Sequence, residues 1–299
     1  MSAGSGSASR AVAPGGHVAG ALLRLGRVSN LPTVWTDVLA GTVLAGGAWS
    51  ARTGVAALAM TLLYVGGMYL NDGFDHRIDA LERPGRPVPS GAVALRTVLA
   101  AGFGMLAAGV LLLAALDSRA GWAGVMLAAL IVAYDLHHKG NRFAPVLMGG
   151  CRALVFVAAG FVAFPAPSWP VALAGLGALA HVAGLTYAAR SEADDRVGRL
   201  WPLAVLALPF AVPFALGTAT APASWAAAAA LLAADLVAVR WLWRRHRPGA
   251  VSRAVALLIA AVSLFDGMAM AGAAGWTAVA AGIAGFGLTL SFQRLVPGT

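Results

Sequence analysis

Apolar residues in this chain arrive in blocks, and the blocks have the length of a membrane-spanning helix. A bilayer core takes about 20 consecutive apolar residues per helix, within a range of roughly 17–25. Such blocks run near 33–49, 54–70, 93–116, 121–135 and 145–164, then near 170–189, 201–218, 223–243, 252–271 and 274–292. The block at 121–135 is short for a full span, and the last two are rich in Gly and Ala. The pattern predicts an all-α, polytopic membrane protein with nine to ten transmembrane helices. Composition agrees: the 299 residues are 60% hydrophobic and 11% charged, whereas a soluble domain carries roughly a quarter charged residues. Residues 1–20, rich in Gly, Ser and Ala, read as a disordered tail without the apolar stretch of a secretory signal. Residues 21–299 are expected to form a single transmembrane domain.

The net charge of +9 would point to nucleic acid in a soluble protein. Here topology accounts for it. With the blocks numbered in order and the N-terminus placed in the cytoplasm, every Lys and Arg except Arg52 and Arg119 falls on the cytoplasmic side. Lys and Arg near helix ends stay cytoplasmic and set orientation, so this split supports the span count and the direction together. The expected surroundings are membrane lipid, with no nucleic-acid partner. Cys151 is the only cysteine and is expected to be a buried structural thiol.

Ionisable groups are costly in a membrane unless they sit at an interface or in a polar cavity, so the placement of the acids is informative. Asp72, Asp75 and Asp79 stand at i, i+3 and i+7 at the end of the second block, which places them along one helix face. Carboxylates stacked that way repel one another unless something neutralises them. Mg²⁺ does so, since it takes hard oxygen ligands and bridges one or two carboxylates to a substrate phosphate. Pro84, Pro87 and Pro89 then end the helix and stiffen a loop that holds Arg83 and Arg86 near the acids, where guanidinium groups can grip diphosphate oxygens. A second acidic segment follows the sixth block, with Glu192 and Asp195 at i and i+3. Both segments fall on the same side, and Glu192 with Asp195 is a candidate second metal site. Lys139, after the fourth block, is either a diphosphate partner or a charge that sets topology. His137 and His138 are adjacent and do not face one another on a helix, which argues against zinc.

Asn71 through Asp79 reads NDxxDxxxD, and Arg83 through Gly91 reads RPxRPxPSG. On these two motifs the chain resembles the UbiA superfamily of intramembrane prenyltransferases. RLGRVSNLPTVWTDVLAG at 24–41 and Met148 to Arg152 are most similar to the EboC-type subgroup, which belongs to a bacterial gene cluster. The resemblance implies a ring of helices around a central cavity open sideways to lipid. It implies two aspartate motifs that hold Mg²⁺ and a prenyl diphosphate beneath a cytoplasmic cap, in a bacterial plasma membrane. Carried over by position, Asp72, Asp75 and Asp79 are the catalytic metal ligands, Asn71 and Arg83 lie near the diphosphate, and Lys139 matches the family lysine after the fourth span. The chain departs from the family in three places. Tyr134 to Lys139 is one residue longer than YxxxK, the second motif is Glu192-Ala193-Asp194-Asp195, and Asp37 stands where subgroup relatives often have Asn.

The expected activity is Mg²⁺-dependent transfer of a polyprenyl group from its diphosphate to an aromatic, small or lipid acceptor. Two other readings remain open, a transporter and a non-catalytic lipid-binding subunit. Asp37, inside the first span, either orients an acceptor or makes a polar contact between helices. Asp235, Asp266 and His181 also fall inside spans, where packing hydrogen bonds are the plainer role and a transporter site the other.

Overall fold

A computed structural model describes residues 14–164, 166–190, 200–243 and 249–296. Its helices are α1 (Pro14–Leu25), α2 (Leu31–Leu44), α3 (Ala51–Phe74), α4 (His76–Glu82), α5 (Leu95–Leu116) and α6 (Ser118–His137). Then come α7 (Ala144–Ala163), α8 (Trp169–Ala189), a 3-10 stretch Trp201–Ala211 running into α9 (Val212–Ala215), α10 (Pro222–Trp243) and α11 (Ala250–Gln293). No strand occurs among the described residues.

Seven of these helices are long and apolar enough to cross a membrane, which makes this an integral membrane protein. The remaining expected spans are present in other forms. α11 has 44 residues, about 66 Å if straight and more than twice a bilayer core of roughly 30 Å. Gly275, at φ 58° and ψ −136°, breaks it, in a conformation that a Cβ disfavours. Its two parts, 250–274 and 276–293, correspond to the last two expected blocks. The block at 201–218 is mostly 3-10 rather than α, because Pro202, Pro209 and Pro213 remove N–H donors within a short stretch. α2 has only 14 residues.

Side-chain chemistry sets several of the helix ends. Asp117 caps α6, its Oδ1 accepting the N–H of Arg119 at 2.8 Å and of Ala120 at 3.2 Å. This divides one apolar stretch into the antiparallel pair α5 and α6. Ser50 caps α3 through the N–H of Thr53 at 3.3 Å. Pro32, Pro145 and Pro170 open α2, α7 and α8, where a missing N–H costs nothing.

The long helices form a ring. α2, α3, α5, α6 and α7 pack in succession, and α8, the 3-10 stretch, α10 and α11 lead back to α2. Each half has its own buried core, and α2 and α7 meet across the seam. Lipid is as apolar as Leu, so close backbone approach and polar contacts hold such helices together. Gly41 provides that approach on α2, since a Cβ there would stand 2.7 Å from the carbonyl oxygen of Phe156 on α7. Arg52, at the start of α3, donates to the carbonyl of Leu116 at the end of α5 at 2.7 Å. It therefore lies at the opposite end from the acidic segment that follows α3.

Candidate active site

The last turn of α3 carries Asn71 and Asp72, and Asp75 forms the joint with α4, which carries Asp79. The carboxylates therefore sit on two helices rather than along one straight face. At the joint the carbonyl of Asp75 accepts the N–H groups of Ile78 and Asp79, each at 2.9 Å, so the chain turns without losing its hydrogen bonds. All three carboxylates are nearly buried.

Each is held by cations from elsewhere in the chain. Arg86 Nη1 lies 2.7 Å from Asp79 Oδ2 and 3.2 Å from Asp72 Oδ1. Arg27 Nη2 stands 3.7 Å from Asp72 Oδ1 and donates to Asn71 Oδ1 at 3.5 Å. Arg27 has φ 42°, and no other non-glycine among the described residues has a positive φ. Asp75 Oδ2 is 3.3 Å from His138 Nε2 and 3.4 Å from Lys139 Nζ. His138 Nδ1 faces the carbonyl of Asp135 at 3.2 Å, so both ring nitrogens face acceptors, as in a protonated imidazole. Burial pushes the His138 pKa down, but the Asp75 carboxylate outweighs it and leaves the group raised. Burial likewise pushes Asp75 up, and His138 with Lys139 overcomes that and leaves it lowered. Beside them Asn71 Nδ2 donates to Asp135 Oδ1 at 3.1 Å, while Asp135 Oδ2 is buried without a partner among the described residues.

Among the described residues no three acidic, His or Cys side chains converge as a ready-made metal cage. Asp72, Asp75 and Asp79 offer the hard carboxylate oxygens that Mg²⁺ takes, one or two at a time beside substrate phosphate, and each is held by a cation in this structure. Glu192 and Asp195 lie outside the described residues.

Asn71, Asp75, Asp79, His138 and Lys139 stand at the mouth of a cavity of about 920 Å³ that reaches inward between the two halves. Asp79, Arg83, Arg86 and Lys139 line its polar end, and Met60, Leu63, Val155, Val182 and Val255 line its apolar walls. Arg83 borders this cavity and a smaller space of about 440 Å³, which Asp72, Arg24, Arg27 and Arg86 also line.

Residues 31–248 match the UbiA prenyltransferase family. The chain belongs to that family. The digeranylgeranylglyceryl phosphate synthase of Methanopyrus kandleri is 29% identical to it over 136 residues, 44% of this chain and 50% of that protein. The synthase of the same name from Halobacterium salinarum is 30% identical over 214 residues, 67% of this chain and 75% of that protein. The chain thus spans half the length of the first relative and three quarters of the second. The apo structure of a UbiA homolog from Aeropyrum pernix K1 shares the fold, with a TM-score of 0.62 at 19% identity over 80% of this chain and 94% of that one. These relatives are archaeal and do not single out the EboC-type subgroup.

Within this UbiA-family fold the intramembrane acids separate. Asp37 on α2 pairs with Arg152 on α7, which also donates to Thr33 Oγ1 at 2.8 Å. Asp37 thus makes a polar contact between helices. Asp266 on α11 accepts from Thr36 Oγ1 at 2.5 Å. His181 Nε2 lies 3.0 Å from the carbonyl of Leu258, and neither oxygen of Asp235 has a hydrogen-bond partner among the described residues. Sequence reasoning counted Arg27 and Arg152 only as charges on the cytoplasmic side and gave His138 and Asp135 no place in the site. Arg152 instead lies within α7, eight residues past its start, where it pairs with Asp37.

Proposed function

We propose that this protein binds a prenyl diphosphate with Mg²⁺ at the mouth of the cavity and transfers the prenyl group to an acceptor within the membrane. The observation that carries the reading is the joining of two environments. Three carboxylates and four cations meet where a cavity with largely apolar deeper walls adjoins a smaller basic space. A diphosphate with a hydrocarbon tail has the same two ends.

Asp72, Asp75 and Asp79 would hold the metal, with Glu192 and Asp195 supplying a second position. Bound Mg²⁺ would supply Lewis-acid neutralisation of the leaving diphosphate. Arg83, Arg86 and Lys139, released from the carboxylates or already facing the cavity, bind diphosphate oxygens through charge-assisted hydrogen bonds, and Asn71 adds a neutral donor. They stabilise charge where it develops as the allylic C–O bond breaks. The apolar walls hold the tail and exclude water from the allylic cation, so that the acceptor captures C1 instead. The positive charges at this end support a cytoplasmic position for it, and the motifs at 24–41 and 148–152 support a bacterial plasma membrane. The relatives are named as digeranylgeranylglyceryl phosphate synthases, so a glyceryl phosphate lipid belongs among the acceptors to try.

The test is a transfer assay on purified protein with labelled prenyl diphosphates of several chain lengths and a membrane extract as acceptor source. It is run with Mg²⁺, with chelator, and on Asp72→Asn and Asp75→Asn. Mg²⁺-dependent labelling that both variants lose is the expected result. Protein that neither binds nor consumes any diphosphate overturns the reading.

A further inference from the structure

One polar group in the cavity wall takes no part in holding the diphosphate. Arg152 faces the cavity from α7, gripped from behind by Asp37 and Thr33. Its guanidinium carbon lies 6.0 Å from the centre of the Tyr64 ring, which also lines the cavity. The Tyr64 hydroxyl accepts from Asn30 Nδ2 at 3.2 Å, and Asn30 Oδ1 accepts from Gln293 Nε2 at 3.1 Å. Tyr64 stands seven residues before Asn71 on α3, about 10 Å along the helix. The cluster is therefore well inside the cavity, past the point where a diphosphate at the mouth would end.

Its charge balance limits what it can bind. Arg152 is the cation of the cluster, Asp37 is wholly buried against it, and Asp266 stands behind through Thr36. The Arg152–Asp37 ion pair is neutral, ionisation of Asp266 makes the cluster negative, and His181 behind it is turned to the Leu258 carbonyl, so the pair leaves no positive charge over. A carboxylate or phosphate brought there would lose its hydration with no counter-charge to replace it. A neutral oxygen loses far less, and it can accept from the Arg152 N–H groups that Asp37 and Thr33 leave and from the Tyr64 O–H.

We propose that Arg152 and Tyr64 form the acceptor subsite, and that the subsite takes an uncharged head group bearing a hydroxyl or carbonyl oxygen. Arg152 touches the acceptor, and Asp37 is a positioning residue that fixes the Arg152 fork. The proposal rests on the prenyl-transfer reading and narrows it, because an acceptor held here differs in charge from a glyceryl phosphate.

The test measures binding to the full chain in lipid nanodiscs with Mg²⁺. The probes are a non-transferable geranylgeranyl thiodiphosphate, a naphthalene diol, hydroxybenzoate and a geranylgeranylglyceryl phosphate. Two variants leave no unpaired buried charge: Arg152→Lys, which keeps the charge and loses the planar fork, and Arg152→Gln combined with Asp37→Asn. The diol is expected to bind more tightly than either anionic probe. Both variants are expected to weaken the diol by about tenfold or more and to leave thiodiphosphate affinity within about twofold, which also shows that they are folded. Tighter binding of hydroxybenzoate or the glyceryl phosphate overturns the proposal. So does a diol that fails to saturate, or a diol affinity unchanged in both variants, the result for a purely structural ion pair. Failure of the wild type to bind thiodiphosphate strikes the prenyl-transfer reading instead, and the diol arm still decides the subsite.

Discussion

The cavity has one ionic cluster at its mouth and another in its wall, and the two are built on opposite principles. At the mouth, Asp72, Asp75 and Asp79 share several cations at 2.7–3.7 Å, and Lys139, one of those cations, is 38% exposed. Asp72 and Asp75 each face two cations, so losing one partner leaves another in place. In the wall, Asp37 is fully buried and its Arg152 partner is only 13% exposed. There the charges are fixed by packing, and removing either leaves the other without water. A cluster whose partners must exchange when substrate arrives is built from replaceable contacts. A cluster that holds one group in one orientation is built from a pair that cannot separate cheaply.

The largest difference should appear in turnover. Asp75→Asn is expected to lower Mg²⁺-dependent transfer by about 100-fold or more, the size typical of losing one preorganised electrostatic group, with little change in the unfolding midpoint. A large drop in the midpoint would show that the mouth is structural after all. In stability the order reverses. Arg152→Ala leaves Asp37 buried and unpaired and is expected to cost about 3–5 kcal/mol, whereas Lys139→Ala, which removes an exposed cation and leaves Asp75 its His138 partner, is expected to cost about 1 kcal/mol. Denaturant unfolding of both variants in chelator checks this, and equal losses would erase the contrast. The smallest effect is one of pH. His138 has a raised pKa, so its pairing with Asp75 stabilises fully below the ordinary value of 6.5 and is lost as pH rises through the raised one. Asp75 has a lowered pKa, so its share is present above 3.8 and is lost as pH falls through the lowered value. The pair therefore stabilises the metal-free protein between those two folded-state values. Asn in place of His138 should flatten the alkaline fall in stability, and Mg²⁺ should move the His138 titration back toward 6.5, as NMR of the labelled ring can show.

The mouth was more legible in the sequence than the wall. Asp72, Asp75 and Asp79 recur with helical spacing, and Arg86 stands a few residues on in the same segment, so local reading found both sides of that contact. His138 and Arg27 come from other parts of the ring, and only the packing of α6 and the approach to α2 bring them to the carboxylates. Asp37 and Arg152 are 115 residues apart, and nothing local in either helix says that they meet. The helices follow the same rule. Asp117 and the opening prolines mark ends that a sequence displays. By contrast, Gly275 is one glycine among 37, and its break in α11 shows only in the backbone. The joint at Asp75 was missed because the 3.6-residue spacing continues across it.

Arg27 shows how this site would fare under selection for toughness alone. A left-handed backbone costs a non-glycine residue roughly 1–2 kcal/mol, and Arg27 adopts one at φ 42° while placing its guanidinium beside Asp72 and Asn71. Arg27→Gly would relieve that strain and raise the melting point, yet remove a cation from the mouth. A directed-evolution campaign scored only on heat resistance would therefore drift toward glycine at this position and arrive at a sturdier protein that binds its substrate less well.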